Sequence, residues 1–279
     1  MATTVRAGVL GMLAALATDT GAAERDYQRT TDAQGDVSIV ARFVNLNRDP
    51  LSLAFTLPQR AVREASAEFG YSPAETREMA RTCACTQQEY DLLVDDYYRS
   101  RAVSWRTTAA GRRMHVDVPA VVERNRPRLK ALAAEFDHLA AARGYGPDDT
   151  LGAMLTFVQS ALPYQRPPDE DGGRDILGFF PPPRALQEGF GDCDTKSALL
   201  ASILTNFPGT RMIGVHVPGH YLVGIARMPR PGDAFIEYGG EPFVLIEPSG
   251  PARLPPGQIG PSTQAALATM SEVRIDPLF

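Results

Sequence analysis

Apolar residues change their spacing several times along the chain, and each change marks an element. From Val37 to Leu57 they alternate in DVSIVARFVNL and LSLAFTL, with Asn47-Arg48-Asp49-Pro50 between. That pattern predicts a hairpin, since alternation buries one face of a strand and Asp-Pro favours a turn. A second hairpin is predicted from Arg101 to Pro119, turning at Ala109-Ala110-Gly111 and carrying the only tryptophan, Trp105, and His115 as a half-exposed strand residue. Between the hairpins, Ser72 with Glu75 and Thr86 with Glu89 have capping-box spacing, so each opens a helix. The second of these helices carries Tyr90, Leu93, Val94, Tyr97 and Tyr98 as a core-facing stripe. Residues 24–35, polar throughout, read as a mobile entry.

Helical spacing dominates after Asn125. Arg126 to Arg143 reads as one amphipathic helix stopped by Gly144, and Pro147-Asp148-Asp149 opens another that ends before Pro163-Tyr164. A proline-rich stretch with an acidic-glycine cluster, DEDGGRD, continues to about Arg184 as a long surface loop, the kind of segment that forms the lip of a site. A last helix is predicted from GFGDCDTKSALLASIL, Gly189–Leu204, and beyond it the period returns to two in TRMIGVHV, YLVGIA, FIEY and FVLI. Helices followed by antiparallel strands make the fold α+β. Three segments are expected: 1–23 as a leader, 24–125 as an N-terminal hairpin and helix region, and 126–279 as a helix–sheet domain.

Composition narrows the functional classes. Hydrophobic residues at 44% and charged residues at 22% suit a globular chain, and a net charge of −5 with no basic run excludes an electrostatic nucleic-acid interface. Arg6, the apolar run Ala7–Ala17 and the small-residue segment after it have the layout of a secretory signal peptide. Export to a periplasm or the medium is therefore expected, with a cytoplasmic location as the alternative. The run is too short for a stable transmembrane anchor. Cys83 and Cys85 are so close in sequence that a bond between them is expected to be strained, so they read as a structural pair without chemistry. No metal-ligand spacing is present and no cofactor is expected.

Cys193 is the candidate for chemistry. It falls in the first turn of an apolar helix, where unpaired N–H groups and the helix dipole favour a thiolate. A thiolate nucleophile needs a base and a group that orients the base. His220 opens the YLVGIA strand and Glu247 closes the FVLI strand, so antiparallel pairing would bring both to one sheet edge. His216 competes as base and Glu237 or Asp233 as acid, but the first lies within a strand and the others in a surface excursion. Asp192 and Asp194 oppose a thiolate and read as turn and cap residues, with Lys196 near Asp194.

GDCDTKSALLASIL, GHYLVGI and VLIEPSG together resemble the three blocks of the transglutaminase-like superfamily, which includes bacterial transglutaminase-like cysteine proteinases of papain-like fold. FVQSALPY and ALQEGFGDC are similar to that family's approach to its cysteine. The resemblance covers about residues 126–260 and leaves 24–125 unmatched. It implies a papain-like core in which a cysteine-bearing helix packs on an antiparallel sheet, with Cys193 as nucleophile, His220 as base and Glu247 as orienting acid. Glutamate stands where an aspartate is common. Gln187, six residues before Cys193, has the offset of the oxyanion-hole glutamine of papain-like proteases, and Tyr164 is a candidate cleft residue. The function implied is acyl transfer from a protein or peptide amide through a thioester, with hydrolysis favoured over transfer to an amine. The alternative is a catalytically silent module of the same fold, used for binding or assembly in the cell envelope.

Overall fold

The computed structural model describes residues 26–108, 111–269 and 273–278. The expected leader and the turn residues Ala109 and Ala110 lie outside the described residues. The first hairpin is present as β2 (Val37–Val44) and β3 (Pro50–Leu57), with the alternating burial the sequence demands. A strand the pattern did not predict, β1 (Asp26–Thr31), pairs antiparallel with β2 in the segment expected to be a mobile entry. Its residues are half-buried or exposed, so no apolar alternation advertises it. What anchors it is polar: the Tyr27 hydroxyl donates to the Leu186 carbonyl at 2.7 Å.

Helix α1 (Gln59–Ala67) follows, again unpredicted, then α2 (Pro73–Thr82) and α3 (Gln87–Ser100). Thr86 and Glu89 form the full reciprocal capping box, whereas Ser72 only accepts from the Glu75 N–H at 3.3 Å. On α3, Tyr97 and Tyr98 are buried but Leu93 is exposed, so the aromatic stripe is core only at its C-terminal end. Cys83 and Cys85, read from the sequence as a structural pair, are disulfide-bonded to each other. The chain leaves α2 in extended conformation at Cys83 and turns at once into α3, which brings the two Cα atoms to 5.2 Å, inside disulfide range.

The second hairpin, β4 (Val103–Thr108) with β5 (Gly111–Val116), precedes α4 (Val118–Asn125) and α5 (Lys130–Arg143). The single helix expected from Arg126 is therefore broken, because Pro127 begins a short 3-10 turn before α5. Gly144 ends α5, as predicted, and does so in left-handed conformation. Helix α6 (Pro147–Thr156) runs into a π-helical turn, residues 157–161. The proline-rich loop contains a two-residue hairpin, β6 (Glu170–Asp171) with β7 (Arg174–Asp175), and ends in a helix the sequence hid, α7 (Pro182–Glu188).

Helix α8 (Cys193–Leu204) packs on a five-stranded, wholly antiparallel sheet. Its strands are β8 (Met212–Val217), β9 (His220–Ala226), β10 (Phe235–Tyr238), β11 (Glu241–Ile246) and β12 (Arg274–Pro277), in the order β10-β11-β9-β8-β12. Tyr221, Val223 and Ile246 point to the α8 side, while Leu222, Phe243 and Leu245 point to a second cluster completed by Leu267 of α9 (Pro261–Thr269). Both faces are covered, which explains the near-continuous apolar runs. The α8-side core also contains Ile39, Phe43 and Leu53, so buried side chains run without a break from the first hairpin to the cysteine helix. The architecture is mixed α+β with antiparallel sheets.

Candidate active site

Helix α8 is apolar along most of its length, yet its first turn reads Cys193-Asp194-Thr195-Lys196-Ser197. The structure gives these polar residues separate attachments. Asp192 is the N-cap, its carboxylate accepting the Thr195 N–H at 3.1 Å. The Thr195 hydroxyl accepts the Phe180 N–H at 3.3 Å. Ser197 donates to the Tyr221 carbonyl at 3.1 Å, pinning the helix to β9. Lys196, fully buried, donates to the carbonyls of Gln159, Leu162 and Ser249 at 3.3, 2.9 and 2.6 Å. Three acceptors match the three N–H bonds of an ammonium, which is what makes a buried lysine tolerable. One side chain thus joins the cysteine helix, the π turn that leads to Tyr164, and the loop that follows Glu247.

The predicted meeting of strand ends occurs. Strands β9 and β11 are antiparallel neighbours, with Ile246 opposite Val223, so the start of one lies beside the end of the other. His220 Nε2 and Glu247 Oε1 are 2.6 Å apart. Glu247 is buried and also accepts from Ser249 Oγ at 2.9 Å and Thr263 Oγ1 at 3.2 Å. Burial pushes its carboxyl up, but the bonds from His220, Ser249 and Thr263 outweigh this and hold it below the usual glutamate range. The Gln159 amide donates to the Glu247 carbonyl at 2.8 Å and the Leu254 carbonyl at 2.9 Å, fixing the backbone of the same loop. The competitors are occupied elsewhere. His216 stacks edge-on with His115 and Tyr221, Asp233 accepts the Arg230 N–H, and Glu237 is exposed on β10. His115, expected to be a half-exposed strand residue, has its Nε2 buried against this histidine contact.

Cys193 opens the helix that Ser197 pins to Tyr221, the residue after His220, and the Tyr221 backbone N–H favours the thiolate less strongly than burial and the neighbouring carboxylates oppose it. Tyr221 is itself locked. Its ring lies over Gly214, where any Cβ would fall 1.7 Å from the hydroxyl, and that hydroxyl donates to Asp276 on β12 at 3.2 Å. On the other side a bridge pairs Tyr164 with Gly191, and the half-exposed Tyr164 hydroxyl lies against the thiol. Burial, with Cys193 and Asp192 beside it, pushes the Tyr164 phenol up to about 12.

Two expectations are corrected here. The thiol is not poised as a thiolate: it is buried, and burial together with the carboxylates of Asp194 and Asp192 drives its pKa upward, against the helix dipole. Asp194 is more than a cap residue. Its carboxylate accepts a hydrogen bond from the Cys193 thiol, with sulfur and oxygen 3.2 Å apart, and its own carboxyl is raised to about 6, by burial first and then by Asp192. No hydrogen bond joins thiol and imidazole in this conformation. Gln187 lies on α7 with its backbone carbonyl accepting from Arg29 and its side-chain Oε1 buried without a partner.

The sequence reasoning missed Thr195, Lys196, Ser197, Gln159, Ser249 and Thr263 as site residues. A polar run inside an otherwise apolar helix was the available signal for the first three; the others carry none. No protein-family model, curated protein or solved structure matches the chain. Among the described residues no helix is long and apolar enough to cross a membrane.

Proposed function

We propose that the chain is a transglutaminase-like, papain-like cysteine acyl enzyme acting on amide bonds of a protein or peptide, with hydrolysis as its main outcome. The observation that carries this reading is the His220–Glu247 pair at 2.6 Å, held at the start of the strand to which Ser197 pins the Cys193 helix. Glu247 occupies Nε2, so the imidazole presents Nδ1 as the free base. In the first step Nδ1 takes the thiol proton while sulfur attacks the carbonyl carbon. Backbone N–H groups in the first turn of α8, Cys193 included, receive the oxyanion. Collapse of the tetrahedral adduct breaks the C–N bond, and His220 returns the proton to the leaving amine, giving a thioester on Cys193. Water, deprotonated by the same imidazole, then releases a carboxylic acid and regenerates the thiol. An amine in place of water would give a new amide.

A second reading is a catalytically silent member of the same fold. It is favoured by the 7% exposure of Cys193 and by the thiol's bond to Asp194 in place of His220. Incubation with an activated acyl donor and a primary amine separates the readings by mass. The proposal expects free acid in excess of amine conjugate, both lost in Cys193→Ala. An unmodified protein and unconsumed donor would favour the silent module. Export, expected from the first 23 residues, remains part of the proposal; secretion of a fusion carrying those residues tests it.

A further inference from the structure

The Cys83–Cys85 disulfide takes no part in the acyl chemistry and contributes little to the fold. Its cysteines are separated by one residue, so the bridge closes a very small loop, and a cross-link restricts the unfolded chain less the shorter the loop it closes. It does not staple core elements, because α2 buries none of its residues. Nor is it needed to terminate either helix. The Cys83 N–H already bonds the Met79 carbonyl at 2.9 Å, and Thr86 with Glu89 already caps α3. Both cysteines are half-buried, around an exposed Ala84. Such a bond, partly exposed on either side of Ala84, can be reached by a partner thiolate, and the sulfur that leaves most readily is the one whose thiolate is best stabilised. Cys85 directly precedes the N-cap of the 14-residue helix α3, where the unpaired N–H groups and helix dipole favour negative charge. Cys83 sits at the C-terminal end of α2, where the dipole opposes it.

We infer that Cys83 and Cys85 form a redox-active disulfide that exchanges with a dithiol, a chemistry separate from that of Cys193. A thiolate of the partner attacks Cys83 Sγ, forming a mixed disulfide and releasing Cys85 as thiolate. The partner's second thiolate then attacks its own sulfur in the mixed disulfide, releasing Cys83. The two protons of the partner's thiols pass to Cys83 and Cys85. The partner is oxidised to a disulfide by two electrons and the pair is reduced to a dithiol.

The test uses the full chain carrying Cys193→Ala, so that only this pair reports, and dithiothreitol as the dithiol. Protein samples are quenched in acid at intervals, alkylated with N-ethylmaleimide and weighed intact. The native protein is expected to gain two maleimides on the order of tenfold faster than oxidised glutathione is reduced under the same conditions, with its far-ultraviolet circular dichroism unchanged. With Cys85→Ser added and glutathione disulfide supplied, Cys83 should hold a stable mixed disulfide. Reduction only after denaturant unfolds the chain would overturn the inference and leave a structural bridge. Two free thiols in the protein purified under air would overturn it as well. Neither result bears on acyl transfer at Cys193, which is measured separately.

Discussion

Replacing Asp194 with asparagine isolates the least expected feature of the site. The Asp194 carboxyl is raised from 3.8 to about 6, by burial first and by Asp192 second. At about 1.4 kcal/mol per tenfold in proton affinity, keeping it ionised costs the folded state up to about 3 kcal/mol. Asp194 keeps some contact with solvent, which relieves part of this cost, so about 1–2 kcal/mol is the working figure. The sign follows from linkage. Folding is not penalised below pH 3.8, where the group is protonated in both states; the cost grows as pH rises toward 6 and is complete above it. Asp194→Asn should therefore be more stable than the parent in urea at pH 7.5, by about 1–2 kcal/mol, and nearly equal to it at pH 3.5. Asparagine keeps an acceptor for the thiol while removing a negative charge beside it. The Cys193 thiol should then titrate at lower pH, and iodoacetamide should alkylate it faster at pH 7.5. A variant less stable than the parent at pH 7.5, or alkylated no faster, would refute the electrostatic account of this turn.

Three further perturbations probe the scaffold. Lys196→Met leaves the carbonyls of Gln159, Leu162 and Ser249 without their donor and should cost about 2–4 kcal/mol in guanidinium unfolding; a loss below about 0.5 kcal/mol would remove Lys196 from the account. Glu247→Gln should destabilise the protein by about 1 kcal/mol at neutral pH. Because the folded carboxyl titrates below its ordinary 4.5, this contribution is present above that pH and disappears as pH falls through the folded value; a difference that does not shrink anywhere on acidification below pH 4.5 would contradict it. Tyr221→Phe keeps the ring over Gly214 but removes the bond to Asp276. A loss of about 1 kcal/mol is expected, with slower acylation of Cys193 as the backbone at the thiol loosens; unchanged acylation at reduced stability would make the tyrosine purely structural.

The parts of the molecule legible in the sequence are those that announce themselves by apolar period. The hairpin at Val37–Leu57 and the strand ends bearing His220 and Glu247 follow from alternation and turn residues alone, because a buried face has to repeat. Strand β1 escaped because its partners are polar: Tyr27 reaches a helix carbonyl, and no apolar face records it. Helix α7 escaped because Pro182 and Pro183 look like loop residues, although proline is accepted in a helix's first turn, where no N–H is required. Lys196 escaped for a deeper reason. The polar run marks the residue, but its ammonium is satisfied by three carbonyls drawn from segments 34 to 53 residues distant, and no local pattern encodes those partners. The same holds for the thiol. Its position at a helix start argued for a thiolate, but the two carboxylates beside it and its burial act through space and reverse the sign.

The central claim is that Cys193 carries the acyl group. A stopped-flow experiment with an activated ester should show a burst equivalent to one acyl group per chain, and peptide mapping of the acid-quenched protein should place a hydroxylamine-labile adduct on Cys193. The burst should vanish in Cys193→Ala and slow markedly in His220→Ala. Turnover that survives in Cys193→Ala, or an adduct that maps to another residue, would contradict the account.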